Sequence, residues 1–280
     1  MRKRSPVTLL LAAALSGCTV TIGERDFLPQ GLKPPQASLV APPGYVLREE
    51  MVDLPGLGHV HSVRLDNPAS DATIVYSGGN TSFVSEQTAR AAMLAQTTGA
   101  DIILYDYPGR GGTDVAPTAD ALSAFGPAFV AALRERGWIG GGPLFFHGLS
   151  LGGSLAASLA REAGANGLII ENSADDIPRV ARSLVPVPAR PFVRLKVSPE
   201  LARFTYTDYV VQAKAPVLLI LSRGDKLVRP SIMRRFEAAL RGRGVAVSMV
   251  EVPGRHARAV AEPAMREAVR AFVARNSGVK

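Results

Sequence analysis

From residue 71 to the C-terminus the chain repeats one pattern: a short apolar run, a polar turn, then a longer stretch with apolar positions three and four apart. Short apolar runs bounded by turn residues predict strands buried on both faces, and the longer stretches predict amphipathic helices. Strands are expected at 73–76, 101–105, 144–146, 167–171, 216–222 and 246–252, and helices at 85–98, 119–136, 154–161, 231–241 and 263–275. Such alternation predicts an α/β fold, a mostly parallel sheet with helices on both faces. Residues 45–54 and 59–65 alternate apolar and polar instead, and Pro55-Gly56-Leu57-Gly58 between them sets a turn, so a hairpin is expected there.

Two regions break the rhythm. Residues 172–215 hold Pro178, Pro186, Pro188, Pro191 and Pro199 among short amphipathic pieces, which predicts an inserted lid of about that extent over the strand ends, where ligand sites of such sheets sit. Its charges, Arg179, Arg182, Arg190, Arg194, Lys196 and Arg203, are read first as solvated surface, with recognition of an anionic substrate or a membrane interface as the alternative. Residues 18–44 are rich in Pro and Gly without useful periodicity, and predict a tether that takes no part in the chemistry. A flexible coil of that length would hold the domain about 25 to 30 Å from its start.

Residues 1–17 do not belong to the fold. Arg2, Lys3 and Arg4 form a basic region, Val7 to Leu15 an apolar one too short to cross a bilayer, and Leu15-Ser16-Gly17-Cys18 resembles a bacterial lipobox. A signal peptide over 1–17, cleavage before Cys18 and a lipid on that cysteine follow as expectations, and place the protein in a bacterial cell envelope on the exported side. Cys18 is the only cysteine, so disulfides are excluded. The remainder, 45–280, is long enough for one α/β domain with a substantial core: the chain has 280 residues, 47% hydrophobic and 20% charged. The formal net charge of +8 falls without residues 1–17 to 29 Lys plus Arg against 24 Asp plus Glu, or +5. No basic run with interleaved aromatics occurs, so nucleic acid is excluded as a partner.

The chemistry centres on residues 142–153, Gly-Pro-Leu-Phe-Phe-His-Gly-Leu-Ser-Leu-Gly-Gly. Gly148, Ser150 and Gly152 form G-x-S-x-G, a sharp strand-to-helix turn that exposes the serine hydroxyl and demands small flanking residues. Such a serine needs an imidazole as base and a carboxylate to orient it. Asp225 and His256 each stand just past a predicted strand end, giving the order Ser, Asp, His on loops at one sheet edge. Asp175 and Asp176 also follow a strand, but are expected to cap a helix. His147 lies three residues before Ser150 and points to the opposite sheet face as a core residue, while His59 and His61 share one hairpin face without a third metal ligand nearby. For the oxyanion, backbone N–H groups of Leu151 and of Asn80, in the Ser77-Gly78-Gly79-Asn80-Thr81 loop, are the expected donors.

With Gly79-Asn80, Asp106-Tyr107-Pro108-Gly109-Arg110-Gly111, the elbow, Glu171-Asn172-Ser173, Gly224-Asp225 and His256 in this order, residues 45–277 resemble the α/β-hydrolase superfamily, most closely its abhydrolase-domain lipid hydrolases and bacterial relatives. The resemblance implies a nucleophile at Ser150, an acid at Asp225, a base at His256 and oxyanion donors at Asn80 and Leu151. Ser77-Gly78 departs from the apolar residue and histidine common before Gly-Asn, and Asp114 from a common glycine. The expected activity is that of a lipid-anchored serine esterase acting on small-molecule or lipid esters through an acyl-enzyme, with no metal or organic cofactor. An acyltransferase or peptidase with the same triad, or a silent binding lipoprotein, are the alternatives.

Overall fold

The computed structural model describes residues 18–202 and 205–278. The signal-peptide stretch 1–17 therefore lies outside the described residues. An eight-stranded sheet organises the chain: β2 (Val46–Leu54), β3 (Gly58–Asp66), β4 (Thr73–Ser77), β5 (Asp101–Tyr105), β6 (Leu144–Leu149), β7 (Gly167–Glu171), β9 (Val217–Ser222) and β10 (Val247–Val252). Their spatial order is β10-β9-β7-β6-β4-β5-β3-β2. The first two strands form the expected hairpin, β3 pairs antiparallel with β5, and all remaining pairs are parallel.

Strands β4 through β7 are buried at every position, which is why their sequences are apolar without alternation. On one face, α2 (Ala119–Glu135) and α3 (Leu151–Ala163) pack over the sheet, with Phe125 and Phe129 stacked 5.0 Å apart. The other face is covered by α1 (Thr88–Thr98) and α7 (Pro263–Asn276), where Met93, Leu94 and Phe272 meet the sheet residues Ile74, Ile102 and Phe145. The remaining helix of the α/β series is α6 (Pro230–Gly242). Among the described residues no helix is long and apolar enough to cross a membrane.

Between β7 and β9 the described residues form a small roof, with α4 (Ile177–Leu184), a 3-10 segment at Val187–Phe192, a strand β8 (Val193–Val197) and α5 (Tyr206–Gln212). Asp176 caps α4 through a bond from Arg179 N–H of 3.0 Å, and Asp175 accepts from Thr207 at the start of α5. Capping is therefore the role of both carboxylates.

The expected tether is not a free coil. Cys18–Ile22 forms a strand, β1, paired in parallel with β8 of the roof. Beyond it, Leu28 is buried in the core, Glu24 accepts from Ala119 N–H, and Leu39 and Ala41 pack against the sheet's second face. The cause is local: Thr19-Val20-Thr21-Ile22 alternates polar and apolar and finds its partner edge 175 residues later, at Arg194-Leu195-Lys196-Val197.

Candidate active site

Ser150 sits between β6 and α3 at φ 56° and ψ −123°, a backbone state that side-chain-bearing residues rarely adopt. Neighbouring backbone holds it there: Ser150 N–H donates to Glu171 C=O at 2.9 Å, and Gly153 N–H donates to Ser150 C=O at 2.9 Å. A Cβ at position 148 would overlap the Gly152 backbone, and one at 152 would overlap the carbonyls of Ser77 and Gly78. The elbow glycines thus let helix, strand and the 77–80 loop meet at van der Waals distance.

Asp225 follows β9 on a tight turn and is buried. Its Oδ1 accepts from Leu227 and Val228 N–H at 2.8 and 3.0 Å, leaving Oδ2 to meet His256 Nδ1 at 2.6 Å. The loop after β9 is laced to the loop after β10 by a bond from Gly224 N–H to Gly254 C=O of 2.8 Å, an approach that a side chain at 224 would block. Because a carboxylate only accepts, Nδ1 carries a proton, and in the neutral imidazole this leaves the lone pair on Nε2, the tautomer that general-base chemistry requires.

The loop bearing Asn80 is fixed from two sides. Tyr107 Oη donates to Gly78 C=O, Ser77 Oγ lies 2.7 Å from Tyr105 Oη, and Asn80 Nδ2 donates to Asp26 C=O at 3.2 Å. Two tyrosine hydroxyls thus hold the Ser77-Gly78 stretch of the loop. Leu151 opens α3, so its N–H has no acceptor within the helix. Asp114, the other departure, bonds the backbone N–H and Nδ1 of His59.

Behind the elbow lies a buried charge pair. Arg90 donates to both Glu171 oxygens, at 2.5 and 3.0 Å, and His147 Nε2 lies 3.3 Å from the same carboxylate. Burial alone would push the Glu171 carboxyl up; the Arg90 guanidinium outweighs it, with help from His147, and brings it down to about 2. Burial pushes His147 down from the usual histidine range, and its fully buried ring packs edge-on against Tyr76, so it is a core residue. Spacing offered no means of finding Arg90, which lies 81 residues from Glu171.

A cavity of about 620 Å³ opens at the sheet edge, lined by Ser150, Leu151 and Asn80 at one end. Leu227 and Val228, whose amides hold Asp225, form part of the same wall. The rest is mainly apolar: Ile177, Val180 and Leu184 from α4, Val193 and Leu195 from β8, and Val20 and Ile22 from β1. The two β1 residues were hidden from sequence reasoning by their place in a Pro-rich segment. The cavity fits an apolar chain whose polar end reaches Ser150. Among the described residues no group of three or more His, Cys, Asp or Glu is arranged to hold a metal ion; both ring nitrogens of His61 are taken up by carboxylates, Nδ1 by Asp106 at 2.5 Å and Nε2 by Glu49 at 2.7 Å.

Sheet order, elbow and roof define an α/β-hydrolase fold with a serine at its strand-to-helix turn. An esterase of Pyrococcus furiosus, Pf2001, superimposes with a TM-score of 0.69 at 17% identity, over 88% of this chain and 98% of that one. An esterase of the archaeon Pyrobaculum calidifontis superimposes with a TM-score of 0.58 at 19% identity over 83% of each chain. One from Pseudomonas putida gives a TM-score of 0.59 at 17% identity over 85% of each. In sequence the chain is 25% identical over 240 residues to the uncharacterized protein Rv2307c of Mycobacterium tuberculosis (strain H37Rv), covering 84% of this chain and 82% of the relative. No protein-family model matches the chain.

Proposed function

We propose that the protein is a serine hydrolase that cleaves carboxylic esters with an apolar acyl chain, exported and held at a bacterial membrane by a lipid on Cys18. The observation that supports the activity most is the buried Asp225 carboxylate bonded to His256 Nδ1, next to Leu227 and Val228, which line the same cavity as Ser150 at its positive φ. In the proposed reaction Ser150 Oγ attacks the ester carbonyl carbon while its proton passes to His256 Nε2. Negative charge gathers on the carbonyl oxygen and meets the N–H groups of Asn80 and Leu151, each such donor contributing about 10² to 10³ in rate. His256 then gives its proton to the departing alkoxide, which leaves as the alcohol. Water attacks the acyl-enzyme by the same path in reverse, losing a proton to His256 and releasing the carboxylic acid and free Ser150. Asp225 keeps the imidazole oriented and stabilises its cationic form throughout.

The esterase structures of the same fold support this reading, as does the apolar cavity wall. Export and anchoring are supported by the Leu15-Ser16-Gly17-Cys18 sequence and by the exposure of Cys18. Turnover of p-nitrophenyl esters of graded acyl length tests the proposal: hydrolysis should occur with an optimum set by the cavity, and should vanish in Ser150→Ala. A folded protein without activity on any of them would contradict it.

A further inference from the structure

The lipid-bearing end and the roof of the cavity are one structural unit. Register pairs Cys18 with Val193, Val20 with Leu195 and Ile22 with Val197, so these six residues share one face of the β1/β8 ribbon while Thr19, Thr21, Arg194 and Lys196 share the other. The first face is turned to the cavity, which Val20, Ile22, Val193 and Leu195 line. Cys18 lies on that same face, about 13 Å along the strand from Ile22. A lipid on its sulfur therefore begins at the ribbon's free end, on the cavity's side.

Around this end the roof is open and apolar. Leu184, Val187 and Phe192 are each more than half exposed, and Val20 is 44% exposed. Scattered single apolar residues are ordinary on a surface, but these lie on successive elements of one roof, and Val20 and Leu184 also line the cavity. Residues 177–197 of the roof contain five Arg or Lys and no Asp or Glu, and of the five Arg179 is paired with Asp176 at 2.6 Å. Arg194 and Lys196 are exposed on the ribbon's outer face, and Arg182 on α4. An apolar patch flanked by the exposed cations Arg182, Arg194 and Lys196 fits an anionic lipid surface, where acyl chains receive the apolar residues and headgroups the cations.

We propose that the roof face carrying Leu184, Val187 and Phe192 docks on the anionic leaflet that holds the lipid of Cys18, with β1 as a cavity wall, so that ester substrates enter from that leaflet. The inference rests on the reading of Cys18 as the lipidated N-terminus, and it gives β1 a double role. It carries the anchor, and through Val20 and Ile22 it shapes the space for the acyl chain.

The test uses the chain from residue 18 onward with Cys18→Ser, which removes the lipid and keeps the ribbon. This protein should co-sediment with vesicles of phosphatidylglycerol and phosphatidylcholine, and less well with phosphatidylcholine alone or at high salt. Val187→Asp with Phe192→Asp should weaken that partition by about tenfold or more, while turnover of soluble p-nitrophenyl butyrate stays within about twofold. Val20→Asp should lower kcat/KM for a long-chain ester by about tenfold relative to butyrate, since it puts a charge where the chain would lie. Lipid on Cys18 is read separately, from the mass of the N-terminal peptide of protein taken from the envelope, and butyrate turnover reports the triad separately. Absence of vesicle binding in an active Cys18→Ser protein would overturn the docking and leave the apolar face to a protein partner. An unaltered chain-length profile in Val20→Asp would overturn β1 as a cavity wall.

Discussion

Asp225 and Asp176 are both turn aspartates placed after sheet strands, and their surroundings separate them. Asp225 is buried and spends both oxygens, one on two backbone amides and one on His256; Asp176 faces solvent and caps α4. On the proposed mechanism Ser150→Ala or His256→Ala lowers kcat by about 10⁴ to 10⁶, and Asp225→Asn by about 10⁴, because the imidazole loses the partner that sets its tautomer. Asp176→Asn should cost at most about 1 kcal/mol in a denaturant titration and leave turnover nearly intact. The reverse ranking in steady-state kinetics would overturn the assignment. At this scale the sequence marks the candidates Ser150, Asp225 and His256, because motif and strand ends lie beside them, and the structure brings Asp225 and His256 into contact. Ser173 and Tyr206, which crowd Gly153 beneath the cavity, carried no such signal, since only the fold brings them there.

Among elements, the pairing of α1 with β7 behind the elbow matters most for the serine's geometry, because Glu171 contributes both the carboxylate for Arg90 and the carbonyl that accepts from Ser150 N–H. Glu171→Gln leaves a buried guanidinium without its counter-charge, and should destabilise the protein by about 3 to 5 kcal/mol near neutral pH. The pH dependence has a defined sign. The Glu171 carboxyl is depressed from 4.5 to about 2 in the fold, so its stabilising contribution is complete above about 4.5 and is lost as the pH falls through about 2. Thermal melts should therefore show wild type and Glu171→Gln converging between those two values, and parallel curves would rule the pair out as the source.

The N-terminal segment yields an element-scale prediction of its own. Leu28→Ala should cost about 2 to 5 kcal/mol in a denaturant titration, a loss that a free tether would not show. Strands β4 to β7 were readable because burial on both faces makes them apolar throughout, whereas β1 is five residues long and depends on β8 for its form. Short strands that exist only through a distant partner leave little in the sequence beyond a brief alternation.

For the whole molecule, one sheet brings three loops, a helix start and a roof to the same edge, and the roof includes the first described residues of the chain. The α/β fold, the hairpin and the place of the roof follow from periodicity and from the order of the motifs. What closes the cavity does not, because it depends on a ribbon joining the two regions that lacked periodicity. The central claim is that Ser150 is an activated nucleophile, and mass spectrometry after exposure to a fluorophosphonate tests it most directly. The account predicts one adduct on the peptide carrying Ser150, absent in Ser150→Ala and formed far more slowly in His256→Ala. A folded protein that gains no adduct, or one whose adduct persists in Ser150→Ala, would contradict it.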